Sequence, residues 1–279
     1  MFRSIWNSKS GMEAQMNKLD AISNNLANVG TKGYKKVDVG FEDLMQETLK
    51  RDGYPVSNSK DGEKKVFTGS GVKATGIYHN DSQGDLVQTN KKMDLAIDGK
   101  GYFKVNLSNG EEAYTRCGSF KIDAEGRVVD NSGKRLVIID QNGQNINSQG
   151  STRKFDEKYF NVDSKGYVSG VIDDSGNVIK NKIFKINIYN TIGQNSMKSI
   201  GQNLYVPETI KDEYGNNIKA DVIGVKNSNI VQGFLENSNV DLGKEMSDMI
   251  ITQRAFQLNS KALTTADEMW GMVNNLKGR

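Results

Sequence analysis

The sequence predicts an α+β chain: N- and C-terminal helices forming a coiled-coil-like domain, a β-rich central domain, and an extended connector. Three observations predict it. Near the start, Ile5, Met12, Leu19 and Leu26 recur every seven residues. Near the end, Met249, Phe256, Leu263 and Trp270 do the same. The long stretch between them reads as short β-rich runs separated by turn residues. A strict seven-residue apolar repeat keeps one seam of a helix against a partner helix as both supercoil. The expected division is 1–36 with 237–279 as a terminal helical assembly domain, 37–75 with 225–236 as the extended connector, and 76–224 as the β-rich domain.

The first helix is expected over about residues 3–28. Met16, Ile22 and Val29 lie beside its seam, and Lys9, Glu13, Asn17, Lys18, Asp20 and Asn24 make its polar side. It should stop near Asn28–Gly30, because Asn and Gly tolerate the left-handed conformation that closes a helix, and Gly33 adds a second break. In the connector, Phe41-Glu42-Asp43-Leu44-Met45 is compatible with a helical turn. Asp52-Gly53, Asn58 to Gly62 and Gly69-Ser70-Gly71 are turn signals.

The β runs are Leu95–Ile97, Tyr102–Val105, Arg127–Val129, Leu136–Ile139, Ile183–Tyr189 and Leu204–Val206. Asn109-Gly110, Asn142-Gly143, Ser175-Gly176 and Tyr214-Gly215 separate them. A local repeat, Asp-x-x-Gly-x-Val, begins at Asp123, Asp163 and Asp173. The Asp bonds nearby backbone N–H groups and the Gly supplies positive φ, so each reads as a tight hairpin turn and not a calcium loop. The final helix is expected to be capped by Ser238 or Asn239, with Asp241 and Glu245 in its first turn, and to run to about Leu276. Ala255, Ala262, Met269 and Leu276 form a second row beside the first.

Composition narrows function. Hydrophobic residues make up 36%, and 37 basic against 34 acidic residues leave a net charge of +3. Mean hydropathy is −0.60. A single thick core is not expected, and no basic block points to nucleic acid. The single cysteine, Cys117, and single histidine, His79, remove disulfide frameworks, Cys-based zinc sites and most catalytic triads. Gly69 to Gly76 and Gly99-Lys100-Gly101 do not fit nucleotide-binding loops. No cofactor, metal or small-molecule substrate is expected. Neither a cleavable signal peptide nor a membrane-spanning run is read in the sequence.

The termini then resemble a known family. Ser23-Asn-Asn-Leu-Ala-Asn28-Val-Gly-Thr31-Lys-Gly33-Tyr34-Lys35 resembles the N-terminal signature of the bacterial flagellar rod and hook proteins. Asn239 to Ala262, with Glu245, Gln253, Arg254 and Phe256, resembles their C-terminal signature. Asp94 to Phe103 and Tyr114 to Phe120 are similar to β-domain motifs of that family. Met1-Phe-Arg3-Ser4-Ile-Trp6, Phe41 to Leu44 and the run from His79 to Asn90 are most similar to its distal-rod members. Gly30 and Cys117 depart from the usual pattern, and about 157–226 matches less clearly. A proximal-rod member is the alternative within the family, and a surface adhesin or binding module the alternative outside it.

The resemblance implies an axial helical polymer of the chain with itself, its paired terminal helices around a central channel and its β domain as an outer layer. It implies proximal rod proteins below, hook protein or a hook junction above, and delivery by the flagellar type III export apparatus from the cytoplasm to the basal body. The expected subunit-interface residues are Ile5, Met12, Leu19, Ile22, Asn24, Asn25, Leu26, Asn28, Met249, Gln253, Arg254, Phe256, Leu263 and Trp270. Asn24, Asn25 and Asn28 are open to two readings: a polar face with a helix stop, or amides that bond neighbouring subunits. The ends are expected to order on assembly. An enzyme is not expected, because Glu111-Glu112 and Asp173-Asp174 sit in apparent turns where adjacent carboxylates diverge.

Overall fold

The computed structural model describes residues 2–44, 47–48, 67–68, 71–107, 110–148, 151, 153–173, 176–179, 183–191, 197–211, 217–219, 221–225 and 227–277. Most of residues 45–70 in the expected connector and the Tyr214-Gly215 turn lie outside them, as do Asn109, Asp174 and Ser175. Two helices, α1 (Phe2–Ala27) and α2 (Leu242–Lys277), flank a strand-rich centre. The chain forms two compact units. The first comprises 1–27, 37–79 and 241–279; the second comprises 28–36 and 80–240.

In the first unit α1 and α2 pack side by side. Neither helix contains a proline, and α1 gives way to a turn in which the Thr31 N–H donates to the Asn28 carbonyl at 3.0 Å. Asp241 caps α2: its Oδ1 accepts from the N–H groups of Gly243 (2.9 Å) and Lys244 (3.1 Å). This corrects the expected Ser238 or Asn239 cap. The Asn239 side chain is engaged elsewhere, accepting from Lys36 N–H and donating to the Asn80 and Ser82 carbonyls.

Strand Val37–Asp43 pairs antiparallel with Val72–His79, with a bulge between Gly40 and Phe41. These strands pack on α1, and Phe41–Asp43 lie in a strand, not in the helical turn expected over Phe41–Met45, of which Met45 lies outside the described residues. The alternation of Val37, Val39 and Phe41 with polar residues has won over local propensity. Helix side chains serve this hairpin's backbone. Asn25 holds both polar groups of Val37, at 2.8 Å each, and Ser10 Oγ accepts from Val72 N–H at 3.3 Å.

The second unit is built on antiparallel strands. Its largest sheet runs Met197–Gly201, Leu204–Pro207, Glu112–Thr115, Tyr102–Asn106, Arg135–Leu136, Val128–Asp130, Phe120–Ile122, with Ile188–Thr191 joining Tyr102–Asn106 to Val222–Gly224. Phe103, Val105, Phe120, Leu136, Ile138, Phe160, Val168 and Phe184 fill the core beneath it. The run predicted over 183–189 is broken in two, Phe184–Lys185 and Ile188–Thr191. Residues 229–236, read as connector, are strands that pair with Leu95–Asp98 and Leu86–Gln88.

The predicted Asp-x-x-Gly turns form at Asp123, Asp163 and Asp173, and two more form at Asp130 and Asp140. In all five the Gly N–H returns to the Asp carbonyl at 2.8–3.1 Å and φ at Gly is 76–83°. That conformation, strained for side-chain-bearing residues, closes each hairpin with one residue left over as a bulge.

Candidate functional site

The helix pair of the first unit is set by two contacts. Asn25 Nδ2 donates to Glu245 Oε2 at 3.0 Å, and a Cβ placed on Gly11 would lie 2.8 Å from Asn259 Nδ2. Position 25 therefore faces 245 and position 11 faces 259. Both helices advance fourteen residues between these contacts, so they run antiparallel and in step.

The buried side of α2 is a two-row seam. Glu245, Thr252 and Ala266 are each 1% exposed. Asn259 falls in the same row at half burial, and Met249, Phe256, Leu263 and Trp270 form the other row, also half-buried. These positions recur in alternating steps of four and three residues. On α1 the small and polar residues Ser8, Gly11, Ala14, Ala21 and Asn25 are buried together with Ile22, and of these Gly11 and Asn25 meet α2.

Met249, Phe256, Leu263 and Trp270, read from the sequence as one row, are half-buried in this chain. The other was missed because its members are Glu, Thr, Asn and Ala, which an apolar search passes over. Their seven-residue recurrence beside the first row was the available signal. The row read instead, Ala255, Ala262, Met269 and Leu276, faces outward: Ala255 is half-buried and the others are exposed. On α1, Ile5, Met12, Leu19 and Leu26 flank the seam at half burial, and Met16 is exposed.

Several polar side chains on and beside the helices bond within the chain. Asn25, 1% exposed, spends its amide on Val37 and Glu245. Thr252 Oγ1 donates to the Asp248 carbonyl at 2.7 Å. Asn28 Oδ1 accepts from Thr31 Oγ1 at 3.1 Å. Asn24, Gln253 and Arg254 are exposed, and Arg254 donates to Gln257 Oε1 at 3.1 Å.

Outside the seam α2 is apolar again. Leu242, Met246, Ile250, Ile251, Leu258, Met269, Met272, Val273 and Leu276 are exposed, Ile251 at 65%, Leu258 at 69% and Leu276 at 78%. A soluble domain seldom leaves so many large apolar side chains along one helix in water, and such surfaces mark association sites.

The second unit holds a buried charge cluster that the sequence reading missed. Glu236 accepts from Lys35 Nζ at 2.7 Å, from Arg116 Nε, and from Gly84 N–H at 2.9 Å. Arg116 also donates to the carbonyls of Ile97, Gly99 and Gly101, and Lys35 to that of Ser82. All three charged side chains are at most 3% exposed. Burial, with the Arg116 charge beside it, pulls the Lys35 ammonium below its ordinary pKa. Burial pushes the Cys117 thiol up, away from nucleophilic reactivity. Among the described residues no group of three His, Cys, Asp or Glu is placed to hold a metal ion, and no helix is long and apolar enough to cross a membrane. Of the expected acidic pairs, Glu112 lies in a strand with Lys104 Nζ at 2.6 Å.

Three family models match the chain: Flagella basal body rod protein over 5–35, Flagellar hook protein FlgE/F/G D1 domain over 96–180, and Flagellar basal body rod FlgEFG protein C-terminal over 231–276. The flagellar basal-body rod protein FlgG of Borreliella burgdorferi is 36% identical across 99% of this chain and 99% of its own length. The chain belongs to the flagellar basal-body rod protein family. FlgG of Bacillus subtilis is 35% identical over 99% of this chain and all of its own length. The flagellar hook-basal body complex protein FlhP of the same organism is 27% identical over a similar span. The N-terminal rod-protein match covers α1 and the turn after it, and the C-terminal match covers α2, so the family models bracket the helix pair.

Proposed function

We propose that this chain is the repeating structural subunit of the distal rod, the drive shaft that carries torque from the flagellar motor to the hook. The observation that carries this is the second apolar side of α2, exposed along the helix after the seam with α1 is filled. Each such side chain contributes roughly 1.5–3 kcal/mol when fully covered, before entropy is counted. Repeated identical contacts are the economical way to cover it. Full-length likeness to proteins named as basal-body rod subunits supports the same reading.

In this reading unit 1 is the assembly domain, with Ile5, Met12, Leu19, Ile22, Leu26, Met249, Phe256, Leu263 and Trp270 keeping the helix pair together. The exposed polar residues Asn24, Gln253 and Arg254 bond neighbouring copies. Proximal rod proteins lie below, hook or hook-junction protein above, and the type III export apparatus delivers the chain. It works as a shaft and not as an enzyme.

Complementing a deletion strain with Ile250→Glu or Leu258→Glu tests it. Both side chains are exposed in the single chain, so folding is retained. Rods and motility are expected to be lost. Normal rods built from either variant would remove the α2 surface from the account.

A further inference from the structure

The hairpin and α1 leave a groove between them. One part, about 360 Å³, is lined by Asp20, Ala21, Val39, Ala74, Gly76 and Ile77 among others. A second hollow of about 310 Å³ shares Asn17 and Ala74 with it and continues toward Ser10. The floor is largely apolar, and a Cβ on Gly76 would meet nothing within 4 Å.

The same unit carries a stretch of matching chemistry. The register that sets 25 against 245 and 11 against 259 places the last stretch of α2, Met269 to Lys277, toward the N-terminal end of α1. At ~1.5 Å per residue it is roughly 13 Å long. Met269, Met272, Val273 and Leu276 on it are exposed. The sequence closes with the cations Lys277 and Arg279, whereas Asp20 lines the larger hollow and Glu13, with Lys73, the second.

This stretch lies toward the N-terminal end of α1, and the part of the groove lined by Asp20 lies near α1's other end. The register puts residue 20 opposite residue 250, so the tip around Val273 is roughly 35 Å along α2 from its own groove. It cannot reach that groove within one copy. We infer that the tip of α2, Met269 to Lys277, docks into the groove between α1 and the 37–43/72–79 hairpin of a second copy of this chain. Such a contact joins two different surfaces, so it does not close on itself as a two-fold dimer does and propagates as an open helical array. This inference rests on the rod-subunit reading.

Gly76→Phe tests it, because the new ring enters open space at a residue whose φ is not in the left-handed region. The purified variant is expected to keep the wild-type unfolding midpoint, yet to be lost from basal bodies. Basal bodies that take up the variant at the wild-type level would overturn the contact. A photo-crosslinking amino acid in place of Val273, co-expressed with wild-type chain so that mixed rods form, identifies the partner. Dimeric adducts should map to residues 10–24 or 72–77. Adducts confined to a neighbour's α2, or none from rods that contain the variant, would overturn the contact while leaving the rod reading intact. Absence of the wild-type chain from basal bodies would overturn both.

Discussion

Asn25→Ala is the most informative single change in the helical unit. The Asn25 amide makes three hydrogen bonds: two at 2.8 Å to the N–H and carbonyl of Val37, and one at 3.0 Å to the Glu245 carboxylate. The two neutral bonds contribute about 1 kcal/mol each and the charge-assisted one about 1.5–3. Alanine leaves these partners in a site where Asn25 and Glu245 are each 1% exposed, so the expected loss is about 4 kcal/mol. Its neighbour Asn24 is exposed, and Asn24→Ala should stay within about 0.5 kcal/mol. Denaturant unfolding followed by tryptophan fluorescence reads this unit selectively, because both tryptophans, Trp6 and Trp270, lie on its helices. A chain of two units need not unfold in one step, so a local probe is required. Equal shifts for the two alanine variants would refute the reasoning: Asn25 would then not be the bolt that ties α1 to both α2 and the hairpin.

Further expectations follow from the second unit. Glu236→Gln leaves Lys35 and Arg116 buried without their counter-charge and should destabilise this unit by about 3–5 kcal/mol, read from its near-ultraviolet tyrosine signal. Gly33→Ala places a Cβ 2.6 Å from the Cys117 N at φ +69°, whereas Gly30→Ala meets nothing within 4 Å; the first should lower the unfolding midpoint clearly and the second should not. Stability should fall in alkali. Burial, with Glu112 nearby, pushes Tyr114 from 10.0 up to about 12. Burial likewise raises Tyr102, helped by Asp81, and Tyr205. An unfolded chain releases these protons near pH 10 while the folded unit retains them. The tyrosine contribution is therefore whole below pH 10 and lost as pH rises beyond it. The lowered Lys35 pKa acts in the opposite sense, adding stability as pH rises toward 10.5, but one lysine stands against three tyrosines. A stability maximum above pH 11, measured by denaturant titration at each pH, would contradict this.

What the sequence disclosed depended on how local the signal was. Both helices were legible because a seven-residue period repeats many times within each, and their ends fall within a residue or two of expectation. The Asp-x-x-Gly turns were legible because four adjacent residues determine them; Asn142-Gly143 marked the one at Asp140, and the one at Asp130 escaped because no Val follows its Gly at the same spacing. The hairpin partner of Val37–Asp43 lies beyond a long insertion, so no local pattern announces it. The charge cluster was opaque for the same reason. Lys35, Arg116 and Glu236 are far apart in sequence, and several of their partners are backbone carbonyls, which leave no mark on composition. The polar half of the α2 seam was hidden by its chemistry. Among the residues expected at subunit interfaces, Asn24, Gln253 and Arg254 are exposed, while Asn25 is buried against Glu245.

The central claim is that this chain is a repeated rod subunit, and counting it tests that most directly. Quantitative mass spectrometry on purified hook–basal bodies from the source cell should find it at several times the level of the proximal rod proteins. A level equal to theirs would move it to the proximal rod, and its absence from the particle would contradict the account.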